Sequence, residues 1–394
     1  MSAQQGFQTN AACEQELVSL LNAAFPVGAL PPPPDAFTPA QWQQLAERAE
    51  WHGLQNMLLR AIEILERADV PPTIFESLRD TFRRSALAQA LCYRELEAVL
   101  ELCARENISF VVLKGAALAK KLYPDSHLRA FGDLDVLIRR ADAARTRELL
   151  LARGLREYEM LHGFNPHYYG EMAFFAANAQ GAMIDLHWEL VVSAYYQRRI
   201  NLEWFWKHTE SFSLGAQTAL TFDATAQLIH LAAHVGLHHQ DHERLIWHYD
   251  LALLIQKRGA EIEWNAADSF ARQSGLARPL RATLDKTRAR WGIPLPRATD
   301  ALFHPSPYAF TERAVYAITT ARFPEARALS DALSTPGALH KFQYIGKHLF
   351  PDAAYMRTHY RVRNDALLPF YYARRLVTSA FKFTRSLWAA ATRG

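Results

Sequence analysis

FVVLKGAALAKKLYPDSHLRAFGDLDVLIR, residues Phe110 to Arg139, decides the fold. Ile108 to Leu113 is β-branched and apolar and reads as a strand. Ala116 to Tyr123 reads as a short helix, stopped by Pro124. Asp133 to Arg139 reads as a second strand. It opens on Asp133-Leu134-Asp135, and side chains two apart on a strand share a face. Two carboxylates side by side on an otherwise buried strand are costly unless a positive charge lies between them. A divalent metal is the usual solution. An isolated Asp-x-Asp is also compatible with a solvated strand end.

Working outward, Ala143 to Arg153 reads as a helix closed by Gly154. Met172 to Ala177 and Ala182 to Leu190 read as a hairpin across Asn178-Ala179-Gln180-Gly181. This alternation predicts an α/β core with a mixed sheet. Upstream, Glu14 to Glu106 has apolar residues at helical spacing. Thr38-Pro39-Ala40-Gln41 combines an N-cap, a helix-starting proline and a capping-box glutamine, and Thr73 and Glu76 suggest a second box. Pro31 to Pro34 reads as a stiff surface loop. Downstream, Asp223 caps a helix to about Gly236, and Glu243 to Arg258 forms another. The expected organisation is a helical region at 1–106, the α/β core at 107–222 and a second helical region at 223–394.

Composition narrows the classes. A formal net charge of +4 over 394 residues does not describe a dedicated nucleic-acid binder. Three widely spaced cysteines, with no CxxC pair, support neither a disulfide framework nor a thiolate zinc site. The N-terminal residues lack a basic segment followed by an apolar run, and no stretch approaches the roughly 20 apolar residues of a transmembrane helix. The expected compartment is the cytoplasm.

Three neighbours give the acidic strand a chemical context. Lys114-Gly115 lies where a strand turns into a helix, whose free N–H groups suit an anion; Gly115 admits close backbone approach and Lys114 adds a cation. The bland alternative is an ordinary turn with a surface lysine. Arg129 either pairs with the nearby acids or holds a phosphate in a bidentate contact. Asp185, in Met183-Ile184-Asp185-Leu186-His187-Trp188, shares a strand face with His187 and Glu189. A salt bridge to a nearby base is its alternative role.

The order of Gly-containing turn, helix, Asp-x-Asp strand and later strand Asp resembles the DNA polymerase β-type nucleotidyltransferase fold. LKGAALAKKLYPDSHLRAFGDLDVLI followed by IDLHWEL is similar to the bacterial family described as uncharacterised nucleotidyltransferases. Similarity extends through HLAAHVGLHHQDHERLIWHYDLALLI and KHLFPDAAYMRTHYRVRNDALLPFYYARRL, so it spans about Gln43 to Leu376. The resemblance implies an α+β fold, with a small mixed-sheet nucleotidyltransferase core between two helical regions. It implies Mg²⁺ or Mn²⁺ held by Asp133, Asp135 and Asp185, and an NTP substrate contacted by Lys114, Gly115 and Arg129. The implied reaction transfers an NMP group from the NTP to a hydroxyl-type acceptor on a small molecule, peptide, protein or RNA. The family's usual Gly-Ser turn is Lys114-Gly115-Ala116 here, without the hydroxyl. A catalytically silent nucleotide- or partner-binding protein is the second reading.

His230, His234 and His238 recur every four residues, followed by His239, His242 and His248. Such spacing permits a histidine metal site, with Asp241 and Asp250 as carboxylate candidates. HExxH is absent, so packing and hydrogen bonding along a face near the active site is the expected role. The family resemblance, whose Arg/Trp/Asp pattern stands here as Arg244, Trp247 and Asp250, implies that these helices line the nucleotide or acceptor pocket, with His187, His234 and Asp250 as second-tier pocket residues. At the C-terminus, Arg357, Arg361, Arg363, Arg374, Arg375, Lys382 and Arg385 alternate with aromatics. The apolar stripe Phe370, Ala373, Val377, Phe381 and Trp388 predicts a terminal helix docked on the core. Basic residues mixed with aromatics also suit RNA or a membrane surface, and a nucleic-acid partner stays open.

Overall fold

Strand alternation organises the molecule. Leu134, Val136 and Ile138 point into one hydrophobic core, while Asp133 and Asp135 take the opposite face. The computed structural model describes residues 11–158, 170–175, 182–238, 243–296, 299, 310–320, 331, 337, 341–342, 346, 349–362 and 364–391. The fold is α+β, a mixed sheet flanked by helices.

Seven strands form the sheet: β1 Phe110–Val112, β2 Asp133–Ile138, β3 Arg156–Tyr158, β4 Glu171–Phe175, β5 Met183–His187, β6 Thr209–Leu214 and β7 Gln217–Phe222. Their order is β3-β4-β5-β2-β1-β7-β6. β2 runs antiparallel to β1 and parallel to β5. β4 and β5 form the expected antiparallel hairpin; its turn, Asn178 to Gly181, lies outside the described residues.

The N-terminal helices are α1 Ala11–Ala24, α2 Pro39–His52, α3 Gln55–Ile64 and α4 Pro72–Arg105. The Thr38 capping box forms: Gln41 N donates to Thr38 Oγ1, and Thr38 N donates to Gln41 Oε1. The second box does not form. Pro71 and Pro72 start α4, and the amide of Ile74 donates to the Pro71 carbonyl, so Thr73 falls inside the first turn. Helix α5, Lys114–Lys121, begins two residues before its expected start, and α6 is Ala143–Ala152.

Downstream come α7 Ala194–Gln197, α8 Leu202–Lys207, α9 Ala224–His238, α10 Leu245–Arg258, α11 Trp264–Ser274, α12 Ala277–Trp291, α13 Phe310–Thr319, α14 Ala353–Tyr360 and α15 Leu368–Ala391. Asp223 caps α9 as expected, accepting from Ala226 N. The β6–β7 hairpin was not expected; Gly215, at φ +57°, makes its tight turn.

The two hydrophobic cores fix the site. Cys92, Leu96 and Val99 of α4, with Leu150 of α6, cover the Leu134/Val136 face. A larger core joins Leu17, Trp42 and Leu58 to Leu228, Leu254 and Trp291, so the N-terminal helices pack with α9, α10 and α12. The face on which the terminal helix docks is a correction. Phe370 is 64% and Val377 70% exposed, and Ala373 is also exposed, so this stretch of the stripe faces outward. The helix instead meets α14, through aromatic contacts such as Tyr360 with Tyr371, and also packs on α13.

Candidate active site

β2 and β5 pair in register, placing Asp135 directly opposite Asp185 and Leu137 opposite His187. β4 adds Glu171 opposite His187. Because all three strands keep period 2, Asp133, Asp135, Asp185, His187 and Glu171 line one cavity of about 740 Å³. That volume lies within the roughly 300–1,000 Å³ of small-molecule sites.

The charges are unevenly balanced. Asp135 is buried, and its Oδ1 accepts from Lys114 Nζ at 2.7 Å and lies 3.0 Å from His187 Nε2. Burial pushes its carboxyl up, but Lys114 and His187 outweigh this and hold it well below the usual carboxylate range. His187 Nδ1 lies 3.2 Å from Glu171. Burial disfavours the imidazolium, yet bonding to Asp135 and Glu171 raises its pKa to about 9. The Asp185 carboxylate makes no hydrogen bond or ion pair with a described residue. Burial and the neighbouring Asp135 raise it to about 7. Burial and Asp135 likewise raise Asp133.

Donor atoms of Asp135, Asp185 and His187 lie within 4.8 Å of one another, the metal-sized group found among the described residues. Hard carboxylate oxygens with too few cations form a donor set suited to a divalent ion. Asp133 lies one strand period away on the same face. The residues present therefore fit a metal.

Lys114 stands at the start of α5 with φ +46°, an uncommon conformation for a non-glycine residue. The N-cap, Leu113, supplies no side-chain cap, and Leu113, Lys114 and Gly115 line the cavity. Gly115 has a packing role as well. A Cβ there would lie 2.8 Å from Phe131 Cβ, so this ring's residue occupies the space the glycine leaves.

Arg129 does not pair with the strand acids. Its Nε and Nη2 donate to Asp250 of α10, the latter at 2.9 Å, and its Nη1 donates to the Ala130 carbonyl. Tyr123 Oη also donates to Asp250, at 2.7 Å. Asp250 is 1% exposed, so this network ties the loop before β2 to the helical wall. It accounts for the carboxylate of Asp250, which is absent from the metal-sized group.

The opposite wall comes from α2, α9 and α10. His230, His234 and His238 lie along α9 and line the cavity. Their ring centroids are separated by 6.5 and 5.4 Å, and no described metal-sized group combines them. Burial and Lys114 lower His230 to about 3, so it is neutral. His234 meets Trp247 edge-on, and Arg244 lies over Trp51 and Trp247 at 6.0 and 5.9 Å. His248 lies outside the cavity, bonded to Thr287 and Glu243. His239, Asp241 and His242 lie outside the described residues. Glu171 was missed in the sequence; only its position opening a strand that alternates against His187 hinted at it.

Over residues 38–292 the sequence matches the family described as uncharacterised nucleotidyltransferase. The crystal structure of an antigenic nucleotidyltransferase-like protein from Paracoccidioides brasiliensis is similar at 14% identity and a TM-score of 0.32. That similarity covers 56% of this chain and 92% of that one. No curated protein matches.

Proposed function

The chain belongs to the uncharacterised nucleotidyltransferase family, and from that premise we propose that it transfers an NMP group from an NTP to a hydroxyl acceptor. The observation that carries this reading is the register pair Asp135 and Asp185, with fewer cations than acids around it. Asp133, Asp135 and Asp185 would hold Mg²⁺ or Mn²⁺, which supplies charge neutralisation at the phosphates.

The acceptor oxygen attacks the α-phosphorus while Asp185, on the strand paired opposite Asp135, takes its proton. The bond to the β-phosphate oxygen breaks, and pyrophosphate leaves with the electron pair. Lys114 and the uncapped start of α5 face that departing charge. Arg129, fixed by Asp250, positions the loop that enters β2. We assign the chemistry to residues 107–222 and the far wall of the pocket to the helices at 223–394 together with Trp51 of α2. Trp247 and His234 there offer flat surfaces to a base or acceptor.

A second reading, nucleotide binding without transfer, draws on Ala116 in place of the turn serine and on Phe131 packed against Gly115. Incubation with each of four α-labelled NTPs and cell extract, with Mg²⁺ or Mn²⁺, separates the two. Labelled product with matching pyrophosphate release, lost in Asp135→Asn, is the expected result. Nucleotide binding with no release under any metal would leave only the second reading.

A further inference from the structure

Helix α15 has two unlike sides. Its inner side is anchored on α14 and the turn before it: Tyr372 Oη donates to the Pro351 carbonyl at 2.6 Å, and Arg375 lies over Tyr355 of α14 at 5.3 Å. Its outer side carries Phe370, Ala373 and Val377, all exposed, with exposed Arg374 at the border, its guanidinium 5.9 Å from the Tyr360 ring of α14. These recur at three- and four-residue spacing, so they form one continuous apolar stripe with an arginine at its edge. In sequence the same period continues to Phe381 and Trp388. Residues 368–391 contain Arg374, Arg375, Lys382 and Arg385 and no Asp or Glu. The helix spans about 36 Å at 1.5 Å per residue. No described helix is long and apolar enough to cross a membrane.

We propose that α15 is a membrane-surface element that lies flat on an anionic lipid bilayer, its outer stripe among the acyl chains and its cations at the headgroups. The charge pattern selects this occupant. A second copy meeting this face would bring arginine against arginine with no acid to offset it. A nucleic acid would satisfy the cations but leave Ala373 and Val377 against a polar backbone. An anionic bilayer accommodates both parts of the face at once. The proposal concerns a surface separate from the acidic cavity, so it stands or falls independently of nucleotide transfer.

Co-sedimentation of the full chain with phosphatidylcholine vesicles, with and without phosphatidylserine, tests it at low and high salt. Binding that requires phosphatidylserine and weakens with salt is expected. Phe370→Ser with Val377→Ser should abolish pelleting, and Arg374→Gln should lower partitioning about fivefold. Both variants change exposed side chains and should keep the wild-type Tm. Equal pelleting with both vesicle types, no pelleting with either, or binding untouched by the paired serine variant overturns the proposal. So does a gel shift with RNA or a concentration-dependent dimer in the absence of vesicle binding.

Discussion

Asp135 and Asp185 sit opposite each other across the parallel strands β2 and β5, and only Asp135 has cationic partners among the described residues. Asp185 is raised to about 7 by burial and by that neighbour. A carboxyl whose folded pKa exceeds its unfolded value of 3.8 favours folding while protonated. Its contribution is fully present below about pH 3.8, declines as pH rises and is gone above about 7. Asp185→Asn should therefore stabilise the metal-free protein by on the order of 2 kcal/mol above pH 7, after allowance for solvent screening. Near pH 4 it should change little. Urea unfolding across this pH range measures the difference. A gain of the same size at pH 4 and pH 8 would exclude ionisation of Asp185 as its source. Mg²⁺ should raise the Tm of the wild type and not of the variant.

The buried Arg129–Asp250 pair predicts a different kind of loss. Both side chains are almost fully enclosed. Asp250→Ala leaves a guanidinium without its carboxylate and should cost about 3–5 kcal/mol. Tyr123→Phe removes one hydrogen bond to the same acid and should cost about 1 kcal/mol. Arg129→Met with Asp250→Leu should recover most of the first loss, because neither charge is then stranded. Chemical denaturation of the single and double variants checks the cycle. Simple additivity would contradict the pairing.

What the sequence disclosed and what it hid follow from the range of each interaction. The shared face of Asp133 and Asp135 is a local consequence of strand period, and the Thr38 box needs only four adjacent residues; both were legible. Asp185 was legible as a third acid because the hairpin that carries it alternates clearly. The Arg129–Asp250 bond joins residues 121 apart, and nothing local in either segment marks it. Thr73 misled because a capping pattern is silent about the prolines that start the helix ahead of it. The β6–β7 hairpin was hidden by its polar, Ser/Thr-rich composition. The outward stripe of α15 was unreadable, since an apolar period reveals a face and not what covers it.

Asp69 ties the loop before α2 to the segment after α3. Its Oδ2 accepts from Phe37 N at 2.7 Å and Trp42 Nε1 at 3.1 Å, and Arg67 adds two charge-assisted bonds. Against the upward push of burial, these donors hold its pKa at about 2. A depressed acid contributes stability above its unfolded pKa of 3.8 and loses it as pH falls towards 2. Asp69→Asn should thus cost about 1 kcal/mol at pH 7, screening included, and the cost should shrink between pH 4 and 2. Thermal unfolding at these pH values reads the effect. A cost that persists undiminished at pH 2 would point to lost hydrogen bonds and not to lost charge.

Gly115 tests what the turn at the head of α5 is for. An added Cβ would fall 2.8 Å from Phe131 Cβ and 3.3 Å from its Cγ. Phe131 Cβ is bonded to backbone and cannot swing aside like the tip of a long side chain. Helix α5 and the loop into β2 would have to part, so Gly115→Ala should cost about 1–3 kcal/mol. Phe131→Gly alone loses an edge contact with Tyr93, whose ring centroid lies 5.3 Å away. In that background Gly115→Ala should become nearly free, because the opposing atom is gone. The same pair of variants separates packing from phosphate recognition. If Gly115 serves only to admit a phosphate, alanine should leave the Tm unchanged while weakening NTP binding, with or without Phe131. If it serves packing, the Tm should fall in the single variant and recover relative to Phe131→Gly in the double. Differential scanning fluorimetry and NTP titration on the four proteins distinguish the outcomes. A loss of Tm relieved by Phe131→Gly would make the glycine a spacer that lets Phe131 pack beside Arg129, immediately ahead of the strand that carries Asp133 and Asp135.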